Sequence, residues 1–166
     1  MVQRGKADHH GFKASDVRQI LQSCKGYDFL LSIRDCAVLT ALFETRIRYR
    51  ELCRIRKEDI HDDIIIINGK NHKQQVVPIT SILQKALLRY ETTADPYFAL
   101  KTTEHYYFLS FRGRQLTNGA VEHIVKRHGS GITDVRVSPH TCRHFFAQQQ
   151  VKLGTDLYIH IKASRT

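Results

Sequence analysis

Ile64-Ile65-Ile66-Ile67-Asn68-Gly69-Lys70-Asn71-His72-Lys73-Gln74-Gln75-Val76-Val77-Pro78-Ile79 is the stretch on which the fold turns. The isoleucine run is strand-sized and breaks the helical period on either side of it. Asn68-Gly69 is a strong hairpin signal, and Gln75 to Ile79 reads as the returning strand. Lys70 to Gln74 then form a longer, basic tip. Charged tips are common and resist edge pairing, so this one does not by itself signal function.

Outward from the hairpin, the chain reads as helices. Residues 1–13 are a loose lead-in. Ser15 caps a short amphipathic helix over 15–24, with Val17, Ile20, Leu21 and Cys24 at helical spacing and Gly26 as its stop. Phe29 to Phe43 is apolar enough to be a central helix. Residues 44–47 form a turn, and Tyr49 to Cys53 a short helical stretch. After the hairpin, Thr80 caps a helix to about Tyr90. Residues 91–105 read as irregular around Pro96, and Tyr106 to Phe111 as a short extended piece turned by Gly113. Thr117 caps a helix to His128, which Gly129 to Gly131 break. Pro139 opens a helix to Leu153, as proline does at a first helical position. Asp156 starts a last turn. The fold class is α+β, mainly helical, with a small antiparallel sheet.

At 166 residues the chain is most simply one domain. Hydrophobic residues make up 42% and charged residues 25%, as in a soluble globular protein. No apolar run approaches the roughly 20 residues of a membrane span, and Met1 to His10 lack an apolar signal segment. A cytoplasmic location is expected. Lys plus Arg number 26 against 16 Asp plus Glu, a net charge of +10, and the pI is near 9.7. Nucleic acid is the commonest partner for such a balance. Cys24, Cys36, Cys53 and Cys142 show neither zinc spacing nor a disulfide framework and read as reduced, mostly buried thiols. There is no HExxH and no compact His/Cys cluster, and His9-His10 reads as incidental, so no metal site is expected.

Three segments carry candidate chemistry. Thr45-Arg46-Ile47-Arg48-Tyr49-Arg50-Glu51-Leu52 sets Arg48 just after the central helix, with Glu51 placed to orient its planar fork. Alone, an Arg followed by Glu at this spacing is more often a solvated ion pair. Lys70 and Lys73 stand on the hairpin tip. His140-Thr141-Cys142-Arg143-His144 sets His140 and Arg143 on one face at a helix N-terminus, where free N–H groups and the dipole favour an anion. Each motif is weak singly. In this order, and in a helix–hairpin–helix context, they make a site shaped for a phosphodiester.

Their order and spacing resemble the catalytic domain of the tyrosine recombinase, or phage integrase, family over roughly residues 15–158. The first segment is similar to the family pattern T-G-L-R-x-S-E-L. Residues 69–79 are similar to the family's basic hairpin, and His140 to His144 to its H-x-x-R-H. The resemblance implies cleavage and rejoining of double-stranded DNA through a 3′-phosphotyrosine, without metal or cofactor. It implies that Arg48 and Arg143 clamp the phosphate. Lys73, with Lys70 as fallback, would protonate the leaving hydroxyl from the minor groove. His140 would bond the phosphate or help to move a proton, and Glu51 and His144 would act as supports. Other recombinase subunits are implied as further partners.

The chain also departs from that pattern. Arg46 stands where the family usually has glycine; a left-handed conformation there would cost arginine roughly 1 kcal/mol. Gln75 replaces the arginine that trails the hairpin lysine. The family's N-terminal DNA-clamping domain is expected to be absent or removed. Residues 160–166 form an atypical tail, and the family tyrosine is expected farther beyond Arg143 than the chain extends. Tyr158 and His160 are out of register, so no nucleophile is assigned. The expectation is a catalytic domain, residues 1–166, that keeps the phosphate pocket without its nucleophile. It is a shortened integrase or a remnant with a frameshifted tail. The alternative is a non-catalytic DNA-binding or regulatory protein that interferes with an intact recombinase.

Overall fold

The computed structural model describes residues 11–24 and 29–154. The readings placed on Gly26, Asp156, Tyr158, His160 and His9-His10 lie outside these residues. Six α-helices and one hairpin are described in the order α1 (Ala14–Gln22), α2 (Phe29–Glu44), α3 (Tyr49–Leu52), β1 (Ile64–Asn68), β2 (Gln74–Pro78), α4 (Ser81–Phe98), α5 (Asn118–Gly129) and α6 (Pro139–Lys152). Mainly helical with a small antiparallel sheet, this is the expected class.

α2 is the central element because its sequence has almost no polar face. From Leu30 to Phe43 nearly every side chain is buried, and α4 is its main packing partner. α6 crosses it through Phe145, whose ring meets Phe43 edge-on at 5.7 Å; Phe12 meets Phe43 from the other side at 5.6 Å. Burial of such rings dominates core energetics. β1 and β2 pair in register from Ile64↔Pro78 to Asn68↔Gln74. Ile65, Ile67 and Val77 face the core and the alternate positions face outward, the period-two pattern of a half-buried ribbon.

Three expectations are corrected. α4 does not stop at Tyr90 but runs to Phe98 with Pro96 inside it. Proline so close to a helix end disturbs few backbone bonds. Tyr90 and Ala94 are buried, and Tyr107 Oη donates to Glu91 Oε1 at 2.8 Å, so packing holds the added turns. Tyr106 to Phe111 forms no strand, only an isolated bridge between Leu109 and Gln115. In the hairpin, Gly69 is extended at φ −88°; the left-handed residues are Asn71 (φ 61°) and His72 (φ 55°). Asparagine tolerates that region, so the turn sits two residues past the Asn-Gly signal.

Elsewhere in the core, a buried polar network ties the end of α1 to α2 and α5. Asp35, fully buried, accepts from Arg34 Nε at 3.1 Å and Nη2 at 2.8 Å. Its other oxygen lies 3.2 Å from His128 Nε2, and Ser23 Oγ lies 2.9 Å from His128 Nδ1.

Gly129 closes α5 against Val137, and a Cβ there would run into the valine side chain. Gly129→Ala is therefore expected to destabilise the protein by about 1–3 kcal/mol, the usual range for overpacking. Chemical denaturation checks this; an unchanged midpoint would show that Val137 yields freely.

Candidate functional site

The loop after α2 leads into the cleft. Thr45 Oγ1 back-bonds to Ala41 O at 2.6 Å and accepts from Ile47 N–H at 3.2 Å, so the chain turns sharply and Arg48 emerges at the start of α3. Arg46 does not take a positive φ, so the strain considered for it does not arise. Its guanidinium instead donates to Val76 O on β2 at 3.4 Å and ties this loop to the hairpin.

α6 presents its N-terminus to the same place. Ser138 caps it through Thr141 N–H at 3.3 Å, and Pro139 follows with φ set for the helix. His140 and Arg143 stand in its first turns. The hairpin brings Lys70 and Lys73 from a third direction. All five residues line one cleft of about 550 Å³, with Arg50, Arg54, Asn68, Gln75 and Glu51 also on its wall. Positive side chains outnumber the single carboxylate of Glu51 there, so the cleft favours an anion.

Arg143 is half-buried. Burial and then the charge of Arg48 hold its pKa below the ordinary guanidinium value; Glu51 opposes this, and Arg46 adds to the repulsion. A guanidinium starts so high that it stays charged at neutral pH, and the repulsion is relieved when an anion enters. Glu51 acts differently from the expectation. Its Oε2 accepts from the backbone N–H of Arg48 at 2.9 Å, so it caps α3 rather than gripping the Arg48 fork. His144 is exposed and does not line the cleft; it faces Gly11, where an added Cβ would sit 3.3 Å from its ring.

Two features escaped the sequence reading. Tyr49 joins three helices: its hydroxyl donates to Glu122 Oε1 on α5 at 3.0 Å, and its ring meets His140 edge-on at 6.2 Å. Arg50 on α3 and Arg54 in the turn just after it add cations, a signal present in the sequence beside Arg48. Cys142 lies directly behind the cleft, fully buried, and burial pushes its thiol up to about 12. It is a small apolar filler, not a nucleophile. Among the described residues, no group of His, Cys, Asp or Glu is arranged to hold a metal, and no helix is long and apolar enough to cross a membrane.

The profile of the phage integrase family matches residues 11–159. The tyrosine recombinase XerD of Chlamydia pneumoniae is 34% identical over 130 residues, 78% of this chain but 43% of that protein. Among solved structures, the XerA recombinase superposes with a TM-score of 0.78 at 21% identity, over 91% of this chain and 54% of its own. The lambda integrase catalytic core superposes with a TM-score of 0.65 at 16% identity, over 93% of this chain and 90% of its own. The chain thus belongs to the phage integrase family of tyrosine recombinases and has the fold of their catalytic domain. It spans less than half the length of the curated relatives it matches.

Proposed function

We propose that the cleft holds one phosphate of double-stranded DNA and that the chain is the phosphate-binding part of a recombinase acting in site-specific DNA recombination. The observation that carries this reading is the meeting of Arg48, Lys73, His140 and Arg143, from three separate segments, in one cleft. The two guanidiniums clamp the non-bridging oxygens and stabilise the charge that builds on them. His140, beside the N-terminus of a 14-residue helix, offers a further hydrogen bond. Lys73 on the exposed tip reaches the leaving oxygen as general acid, with Lys70 as the nearest substitute. Glu51 supports Arg48 by fixing the α3 start, and His144 braces α6 from its outer side.

The attacking tyrosine of that reaction is not assigned to any residue of this chain. Tyr49, the tyrosine lining the cleft, is engaged by Glu122. The chain then binds DNA without cutting it. A nicked duplex that traps the phosphotyrosine link tests this on a denaturing gel, where no DNA-linked protein is expected. A covalent band would overturn it, and loss of that band in Tyr158→Phe would identify the nucleophile.

Lys73→Ala is expected to weaken binding to all sequences alike and to lower the slope of log affinity against log salt by about one, as loss of one phosphate contact does. Lys70→Ala gives the comparison. An unchanged slope in Lys73→Ala, with a reduced one in Lys70→Ala, would transfer the role to Lys70.

A further inference from the structure

A second groove, of about 780 Å³, lies apart from the cleft. It lies between the first turns of α2 and the outer face of α4. Along α2 the two are separated by about 20 Å, from Leu30 to the end of the helix at Glu44. α4 buries Leu83, Leu87, Tyr90 and Ala94 in the core, yet Leu88 is 61% exposed and Tyr97 39%, and Phe29 on α2 is 67% exposed. These three side chains, with Leu30 and Ile33 beneath, make a continuous apolar lining. From Lys85 to Tyr97 the groove follows α4 for about 18 Å, the length of some three helical turns.

The polar atoms of this groove define what fits it. Thr92 Oγ1 donates to Leu88 O at 2.8 Å and Thr93 Oγ1 to Arg89 O at 3.0 Å, so both hydroxyls are satisfied within α4. Tyr97 Oη donates to Phe111 O at 3.4 Å. Lys85 and Arg89 remain: both are exposed, and among the described residues neither pairs with a carboxylate, although the charge of Arg89 reaches the Cys36 thiol. An apolar floor with two such cations on its rim calls for an apolar strip flanked by carboxylates.

We propose that this groove is a docking site for an acidic amphipathic helix of a partner protein. Its apolar side chains, at i, i+3 or i+4 and i+7, would lie along the floor, the usual anchors of a helix in a groove. Its carboxylates would meet Lys85 and Arg89, which gives orientation and selectivity more than raw affinity. Duplex DNA does not fill an apolar floor. A second copy of this chain is the poorer match, because Glu91 and Asp95 of α4 are already engaged by Tyr107 and Lys57. The groove shares no lining residue with the cleft.

The test uses two fluorescent helical peptides with the same leucine strip, one flanked by glutamates and the other by lysines. Anisotropy measures their binding to the 166-residue protein. The acidic peptide is expected to bind, to lose at least about tenfold in affinity in the double variant Lys85→Glu/Arg89→Glu, and to lose binding in Leu88→Asp. All three positions are exposed, and circular dichroism checks that the variants fold. Equal binding of the two peptides, no binding of either, or indifference to the charge reversal would overturn the proposal. Self-association of the protein that Leu88→Asp abolishes, with no peptide bound, would overturn it in favour of a second copy.

Discussion

Asp35→Ala is expected to cost about 3–5 kcal/mol of folding stability, the range for breaking a buried ion pair by removing one partner. The carboxylate is fully buried and takes two hydrogen bonds from Arg34, itself 8% exposed, and faces His128 Nε2 at 3.2 Å. Without it, the largely buried Arg34 guanidinium keeps, among the described residues, only a 3.4 Å bond to Leu109 O. An unsatisfied buried charge is far more costly than the loss of a good bond between partners that both leave. At this chain length each kcal/mol lowers the melting temperature by roughly 2–4 °C, so a drop of roughly 10 °C follows. Asp35→Asn keeps the shape and one acceptor and should cost less. Calorimetry decides: a drop under about 2 °C in Asp35→Ala would mean that Arg34 and His128 are not held by this carboxylate.

The second large effect concerns the cleft. Arg48→Ala and Arg143→Ala are each expected to weaken DNA binding by about tenfold or more, from the 1.5–3 kcal/mol or so of a charge-assisted hydrogen bond. Arg143 is expected to matter more, because it is already half-buried and fixed on α6, whereas Arg48 is exposed and must order its side chain on binding. The loss should be larger at low salt and shrink as salt rises, since counterion release underlies the affinity. Lysine at either position keeps the charge but not the planar fork, so it should restore only part of the loss. Equilibrium anisotropy with a duplex oligonucleotide at several salt concentrations measures all four variants. Wild-type affinity in both alanine variants would remove the cleft from DNA binding.

Much of this was readable from local chemistry. α6 began at Pro139, as a proline at a first helical position implied, and α2 was visible as an apolar run with no polar stripe. The hairpin strands were legible from Ile64 to Ile67 and from Gln75 to Pro78, although the turn moved to Asn71 and His72. Arg48, Lys70, Lys73, His140 and Arg143 were legible because each stood in a motif with its own spacing; Tyr49, Arg50 and Arg54, on the same cleft, were not.

What stayed hidden depends on distance in sequence. Asp35 and His128 are 93 positions apart, and neither carries a pattern that predicts the other. Tyr49 and Glu122, 73 apart, are the same case. Pro96 misled because a proline reads as a stop, while burial of Ala94 and the Lys57–Asp95 ion pair at 3.1 Å favour continuing the helix. Glu51 had two available partners within one turn, and only the geometry shows that it takes the Arg48 backbone N–H. The groove beside α4 depends on which of its apolar residues the core leaves uncovered.

The function proposed for the cleft stands on Arg48 and Arg143 gripping the same phosphate, and a double-mutant cycle on DNA affinity decides whether they do. Wild type, Arg48→Ala, Arg143→Ala and the double variant would be titrated with one duplex in one buffer. Two forks on one phosphate are coupled, so the double variant should lose less than the sum of the singles, by about 0.5 kcal/mol or more. Losses that add within about 0.3 kcal/mol would show two independent surface cations and no shared phosphate.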